Sequence, residues 1–373
     1  MSAPTRLRVL HVIKCLDRGG AENLIAATLE SSSSPEVVYE VAFARSDMAA
    51  LVRELSSQGH VVHDLGSRSD LDLRWALRLR RLLLKHRYDV VHTHLPLSAG
   101  VTRLVVRSLG AARRPSLVHT EHSLHGENGW TSRTLRHLTG RLDDVSLAVS
   151  ESNRAALPGR LRSRTRVVVH GIDLGRAQLA RPREEVRRDL GIAPTAPVAL
   201  CVANLTAQKG HTHLLTACRL LRSEGLDVTL LVAGDGPLRT ELLSRRDAEG
   251  LREHVHYLGP RADVLDLMSA ADLLVLASTW ECMPVVVMEA FAMGLPVVVT
   301  ATGDLPRVVT PGRNGLLVPP GRPEALAHAM ASVLSDETLR SALARGAADS
   351  AARFDARRTT RELEELYGEL VAR

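Results

Sequence analysis

Aromatic residues are scarce in this chain. Phe, Tyr and Trp make up 3% of its 373 residues, too few for the stacking platforms on which proteins hold single-stranded nucleic acid. Cysteine is sparse too. Cys15, Cys201, Cys218 and Cys282 are scattered, with neither metal-ligand spacing nor a disulfide framework. Cys15 and Cys201 follow strand-like runs and Cys218 lies in a helical pattern, so all read as buried free thiols in a reducing cytoplasm. No apolar run reaches the length of a membrane span. The N-terminal run Leu7–Ile13 is short and carries Arg8 and His11, so it reads as a first strand and not as a signal peptide.

What is present is ordinary in amount: 45% apolar and 24% charged residues, a globular composition long enough for two domains with separate cores. The charge is unevenly placed. Residues 1–172 carry 25 basic against 16 acidic side chains, whereas residues 173–373 carry 23 against 26. The N-terminal half therefore suits an anionic partner. Without a reading module, basic charge gives no specificity for nucleic acid, and no nucleic-acid partner is expected.

Short apolar runs alternate with amphipathic stretches of helix length throughout. Strands are expected near residues 7–13, 37–43, 61–65, 90–93, 117–120, 146–149 and 166–169, then 198–202, 228–233, 255–258, 273–276, 297–299 and 316–318. Strands separated by helices predict an α/β protein with parallel, doubly wound sheets, whose ligands bind outside the carboxyl ends of the strands. The boundary falls at His170-Gly-Ile-Asp-Leu174, dividing 1–172 from 173–355, and a last amphipathic helix over Arg357–Leu370 occupies 356–373.

The most informative stretch is Ser278–Thr300. Glu281 follows an apolar strand, Met283-Pro284 turns the chain into a helix, and Glu289 stands two turns along it. A helix N-terminus offers unpaired N–H groups and a positive dipole end to phosphate, and carboxylates accept hydrogen bonds from hydroxyls. The pattern suits a sugar joined to a diphosphate, although an ordinary crossover with one solvated and one capping glutamate has the same spacing. Other loops at strand ends add candidates. Gly19 and Gly20 in Asp17-Arg-Gly-Gly-Ala-Glu22 open a helix and allow close backbone approach, as any Gly-Gly turn would. Lys209 lies in Asn204-Leu-Thr-Ala-Gln-Lys-Gly-His211, and His122 ends the strand Val118-His-Thr-Glu-His122; a solvated lysine and a capping histidine are the plain alternatives. His92-Thr-His94 and His211-Thr-His213 invite a metal reading, but no third ligand is placed by sequence, and loop and cap roles are favoured. Arg74, Arg78, Arg81 and Lys85 share one face of an expected helix over Leu71–Arg87, opposite Trp75, Leu79, Leu82 and Leu83. That face suits anionic headgroups or a lipid-diphosphate acceptor, or is simply a solvated surface.

Taken together, Glu281-x7-Glu289 with Ala290, Gly294, Pro296-Val297-Val298 and Gly303, the Gly-Gly-Ala-Glu loop and the His-Gly-Ile-Asp boundary resemble the retaining glycosyltransferases of family 4. The resemblance covers nearly the whole chain. It implies the GT-B fold, two Rossmann-like doubly wound domains facing a central cleft, and a hexosyltransferase that needs neither a cofactor nor a bound metal. The donor would be a UDP- or GDP-linked sugar and the acceptor a hydroxyl, in cell-surface glycan, glycolipid or secondary-metabolite synthesis.

By the same resemblance, Lys209 and Gly20 would meet the diphosphate, helped by Gly19. Asn204, Gly234, Leu258 and Arg261 would line the nucleotide. Glu281 would hold the transferred sugar, Cys282, Met283, Pro284 and Val285 the turn beside the phosphates, Glu289 the ribose, and His122 the acceptor side. Cys282 replaces the family's usual glycine with another small residue. Two further positions depart from the pattern: Asn204 stands where an arginine is usual, and Arg307 where a glutamate is. Asparagine has one neutral amide in place of a fixed, forked cation. These two departures keep a non-catalytic partner subunit as an alternative; a sugar-nucleotide epimerase is a weaker one. The expected location is the cytoplasm, with the inner face of the membrane as a possible working surface.

Overall fold

A computed structural model describes residues 6–17, 19–69, 72–122 and 130–372. The chain forms two compact units, Met1–Asp173 with Ala356–Arg373, and Leu174–Asp355. The first holds β1 (Leu7–Ile13), β2 (Val37–Arg45), β3 (Val61–Ser67), β4 (Val90–His94), β5 (Ser116–Glu121), β6 (Val145–Ala148) and β7 (Thr165–Val167), in the order β3-β2-β1-β4-β5-β6-β7. The second holds β8 (Val198–Val202), β9 (Thr229–Ala233), β10 (Val255–Gly259), β11 (Leu273–Leu276), β12 (Val297–Thr300) and β13 (Gly315–Val318), in the order β10-β9-β8-β11-β12-β13. All pairings between these strands are parallel. Every expected strand is present, with ends moved by a residue or two. Cys201 lies inside β8 and not after it, and the four cysteines are free and buried.

The central strands are apolar on both faces because helices cover both. In the first unit, Val9, Ile13 and Val90 pack with Ile25 and with Leu363 and Tyr367 of the final helix, Ala356–Val371. Leu10, Val12 and Val91 face the other way, onto Trp75, Leu79 and Leu83. Those three sit on the helix Arg74–Lys85, shorter than the stretch expected from sequence; Leu71 lies outside the described residues. Three of its basic side chains have partners. Arg74 pairs with Asp72 at 2.8 Å, and Arg80 Nε donates to Ser108 Oγ at 3.2 Å. Arg78 donates from Nη1 to the Leu65 carbonyl, 2.6 Å away.

Strand order reverses once in each sheet, between β1 and β4 and between β8 and β11. Successive loops leave in opposite directions there, which opens a crevice at the carboxyl ends of the strands.

Candidate functional site

In the second unit the loops after β8, β11 and β12 are locked together by close backbone contacts. Gly210 has φ +65°, and a Cβ there would stand 2.0 Å from the Ala277 carbonyl oxygen. Gly303 has φ +56°, and its Cβ would stand 1.7 Å from the Glu281 carbonyl oxygen. Both positions thus require glycine for conformation and for space. The Thr279 amide also donates to the Gln208 carbonyl at 2.8 Å.

This framework brings two of the expected residues into contact. Lys209 Nζ lies 2.6 Å from Glu281 Oε1, and Ser278 Oγ donates to the same oxygen at 2.7 Å. Glu281 is buried and Lys209 half-buried, so the pair feels less screening than a surface ion pair. It stands at the reversal between β8 and β11, where a doubly wound sheet offers its ligand site.

The remaining candidates are spread around this pair. Pro284 precedes the helix Val285–Ala292, with Cys282 buried and Met283 half-buried in the turn. Glu289 is half-buried in that helix; burial raises its carboxyl pKa, opposed by Arg176. Among the described residues its carboxylate has no hydrogen-bond partner. Gly234 ties the ends of β9 and β10 together through its amide, 2.9 Å from the Gly259 carbonyl, and Leu258 lies in β10. Asn204 is exposed. Arg261 is held by Asp263, with Nε–Oδ1 at 2.7 Å and Nη2–Oδ2 at 2.5 Å. His211 is buried and bonds the Asn204 carbonyl at 3.0 Å, so it works as a loop clamp.

In the first unit, Gly19 precedes the helix Gly20–Ser31 and a Cβ on Gly20 would meet nothing; Arg18 of the same loop lies outside the described residues. Nearby β1, β4 and β5 bring histidines together. His11 Nδ1 is 2.9 Å from His94 Nε2, and His94 Nδ1 is 2.9 Å from His122 Nε2. His92 bonds the Tyr367 hydroxyl at 2.6 Å and Thr120 Oγ1 at 2.7 Å. His119 is buried against Thr93, as a structural histidine would be. Burial drives five of the neighbouring rings toward neutrality: the pKa falls to about 3 for His11 and His122, to about 4 for His170, and well below the ordinary value for His92 and His94. The residue after His94, Leu95, has φ +67°, an expensive backbone conformation for a leucine.

His11, His92 and His94 bring one nitrogen each within 4.8 Å of one another, a spacing that fits a metal ion. Their hydrogen bonds argue otherwise. Both nitrogens of His92 and both of His94 already have partners, so a metal would have to displace bonds that now satisfy buried groups.

Two family models match the chain: Glycosyltransferase Family 4 over residues 8–176 and Glycosyl transferases group 1 over residues 182–350. A D-inositol 3-phosphate glycosyltransferase of Corynebacterium urealyticum is 32% identical over 76% of this chain and 72% of its own. This chain belongs to the family 4 glycosyltransferases. A second relative of this glycosyltransferase, the UDP-Gal:alpha-D-GlcNAc-diphosphoundecaprenol alpha-1,3-galactosyltransferase of Escherichia coli, is 25% identical over 72% of each chain. Among solved structures, Anabaena Alr3699/HepE in complex with UDP and glucose aligns with a TM-score of 0.85 and 23% identity over 98% of this chain and 100% of its own. That likeness establishes the shared fold, GT-B, with two Rossmann-like units.

Sequence reasoning missed Ser278 and the link between His11 and His94. Ser278 has no spacing that marks it as a partner of Glu281. His11 and His94 have the parity that puts them on one face of their strands, but only the strand order makes β1 and β4 neighbours.

Proposed function

We propose that this glycosyltransferase moves a hexose from a UDP- or GDP-linked donor to a hydroxyl acceptor, with retention of anomeric configuration and without a metal. The observation that supports the reading most is the Lys209–Glu281 pair at the reversal between β8 and β11. A diphosphate entering that crevice competes for Lys209, and the released Glu281 carboxylate accepts hydrogen bonds from the transferred sugar. Lys209, with the loop of Gly19 and Gly20, stabilises the charge that develops on the leaving diphosphate. Glu289 binds the ribose. Met283 and Val285 offer backbone N–H groups beside the phosphates; Pro284 has none. His122 serves the acceptor side. The acceptor oxygen bonds to the anomeric carbon on the face the diphosphate leaves, and its proton passes to the departing diphosphate.

Both curated relatives described above are named for acceptors that carry phosphate. The basic excess of residues 1–172 fits such an acceptor. Among the described residues no helix is long and apolar enough to cross a membrane. The helix Arg74–Lys85 nonetheless exposes Leu77 and Leu84 beside Arg81 and Lys85, a face suited to an anionic membrane surface. Arg74, paired with Asp72 at 2.8 Å, and the carbonyl-bonded Arg78 contribute less than their spacing promised.

The test is transfer by the purified chain in EDTA, with the product's anomeric configuration read by NMR. Transfer with an inverted product, or transfer abolished by EDTA and restored by a divalent cation, would refute the corresponding part of the proposal. The second reading, a partner subunit without turnover, is favoured by the exposed Asn204 and Arg307 in place of the usual arginine and glutamate. It predicts neither transfer nor donor hydrolysis.

A further inference from the structure

We infer that His11 and His94 act as positioning residues that hold His122 in its Nδ1–H form, so that His122 meets its partner as a hydrogen-bond donor and not as a base. The tautomer rests on the hydrogen-bond geometry and on the neutrality of the three rings. The donor role toward a reacting partner also rests on the placement of His122 proposed above.

His11, His94 and His122 form a chain through two contacts, Nδ1 of His11 to Nε2 of His94 and Nδ1 of His94 to Nε2 of His122, each 2.9 Å. Each contact is a hydrogen bond and needs one proton between its nitrogens. Buried neutral rings carry one proton apiece. His94 cannot donate into both contacts without becoming a buried cation, nor accept in both without becoming an anion. It must donate in one and accept in the other. Only two arrangements remain, and in each the three rings share a tautomer: all Nδ1–H, or all Nε2–H.

The far end of the chain chooses between them. His11 is 1% exposed, and its Nε2 has no hydrogen-bond partner among the described residues. In the all-Nε2–H arrangement this atom would be a buried, orphaned N–H, which folded proteins rarely tolerate and which costs about 1–3 kcal/mol. In the all-Nδ1–H arrangement it is an unused acceptor, and the third proton moves to the half-buried end of the chain, on His122 Nδ1. Neighbours reinforce the neutrality on which the count depends. His92 stacks on His94 with ring centroids 4.4 Å apart, and His170 on His122 at 5.7 Å. Glu121, the nearby acid that favours a charged His122, is itself paired with Arg136 at 2.8 Å.

Such a His122 can donate to an acceptor hydroxyl oxygen or a phosphate oxygen. It cannot take a proton through Nδ1 unless all three rings shift together.

The experiment is 15N NMR of the full chain with 15N-labelled histidine, with the three rings assigned by His→Gln substitution at each position. Free histidine in water favours Nε2–H, so three Nδ1–H rings form a pattern that default behaviour does not produce. That pattern is the expected result. Three Nε2–H rings would overturn the donor assignment, and mixed tautomers or a cationic ring near pH 7 would overturn the chain. His94→Gln, whose amide both accepts and donates, should keep His122 as Nδ1–H, whereas His94→Leu should release it to Nε2–H. Wild-type spectra alone decide the matter if His94→Leu fails to fold. The readout does not depend on turnover, so an inactive protein with the expected tautomers would refute the transfer reading and leave this one standing.

Discussion

The two units share an architecture and differ in what they place at the same point of it. Each is a doubly wound parallel sheet whose strand order reverses once. Behind the reversal between β1 and β4, the first unit packs uncharged imidazoles, with His11, His92 and His94 each at most 1% exposed. At the reversal between β8 and β11, the second unit holds a lysine against a glutamate. One fold thus supplies a crevice twice, and the side chains at the strand ends decide its chemistry. A charged pair suits a diphosphate and a polyol; neutral rings suit directed hydrogen bonds.

The largest expected contrast between the units appears in acid. A histidine whose folded pKa is lowered binds no proton in the native state while the unfolded chain binds one below about pH 6.5. Stability is therefore intact above that pH and falls as the pH drops toward the folded value. For His11, lowered to about 3, the loss at pH 5 is about 2 kcal/mol, and His92, His94, His122 and His170 add to it. In the second unit, among the described residues, only His211 shows such a lowering. Hydrogen exchange between pH 7 and 4.5 should show the first unit opening well before the second. Simultaneous opening would mean that the histidine cluster does not set acid stability.

Next in size is the effect of splitting the ion pair. Lys209→Ala and Glu281→Ala should each lower kcat/KM by about 100–1000-fold, the usual size for removing an electrostatic stabiliser. If either variant retained near-wild-type transfer, the site would be misplaced.

A smaller contrast concerns the glycines of the two crevices. Gly210→Ala forces a left-handed residue against the Ala277 carbonyl and should destabilise by about 1–3 kcal/mol. Gly20→Ala meets no neighbour and should leave Tm unchanged or slightly raised while weakening donor binding. Equal stability losses in thermal melts would remove the distinction between a packing glycine and a ligand-facing one.

The smallest effect is at the surface. Arg81→Glu with Lys85→Glu should weaken sedimentation with phosphatidylglycerol vesicles by about 1 kcal/mol per residue, and the same changes should have no effect with neutral vesicles. Unchanged binding to the anionic vesicles would make this face a solvated one.

Much of this was legible in the residues. Strand positions followed from apolar runs bounded by polar helices, and Glu281, Lys209 and the Gly-Gly loop stood where doubly wound sheets place their ligand sites. What the sequence could not show depends on distance in three dimensions. Lys209 and Glu281 are 72 residues apart and meet only because β8 and β11 are neighbours. His94 had a visible partner in His92, yet its hydrogen bonds go to His11 and His122 across two strand boundaries. Arg78 is exposed, as its spacing suggests, but its guanidinium is tied to a β3 carbonyl that the sequence does not reveal. Arg261, expected to line the nucleotide, also bonds Asp263 two residues on, a local contact that loop sequence alone does not disclose.

The central claim is that the crevice of the second unit binds a nucleoside diphosphate through Lys209. A thermal-shift panel of UDP, GDP, ADP and their sugar conjugates in EDTA, run on the wild type and on Lys209→Ala, tests it most directly, because a ligand that binds only the folded state must raise Tm. A clear shift is expected for UDP or GDP, one that EDTA does not change and that Lys209→Ala loses. No shift with any nucleotide, or one that Lys209→Ala leaves intact, would contradict it.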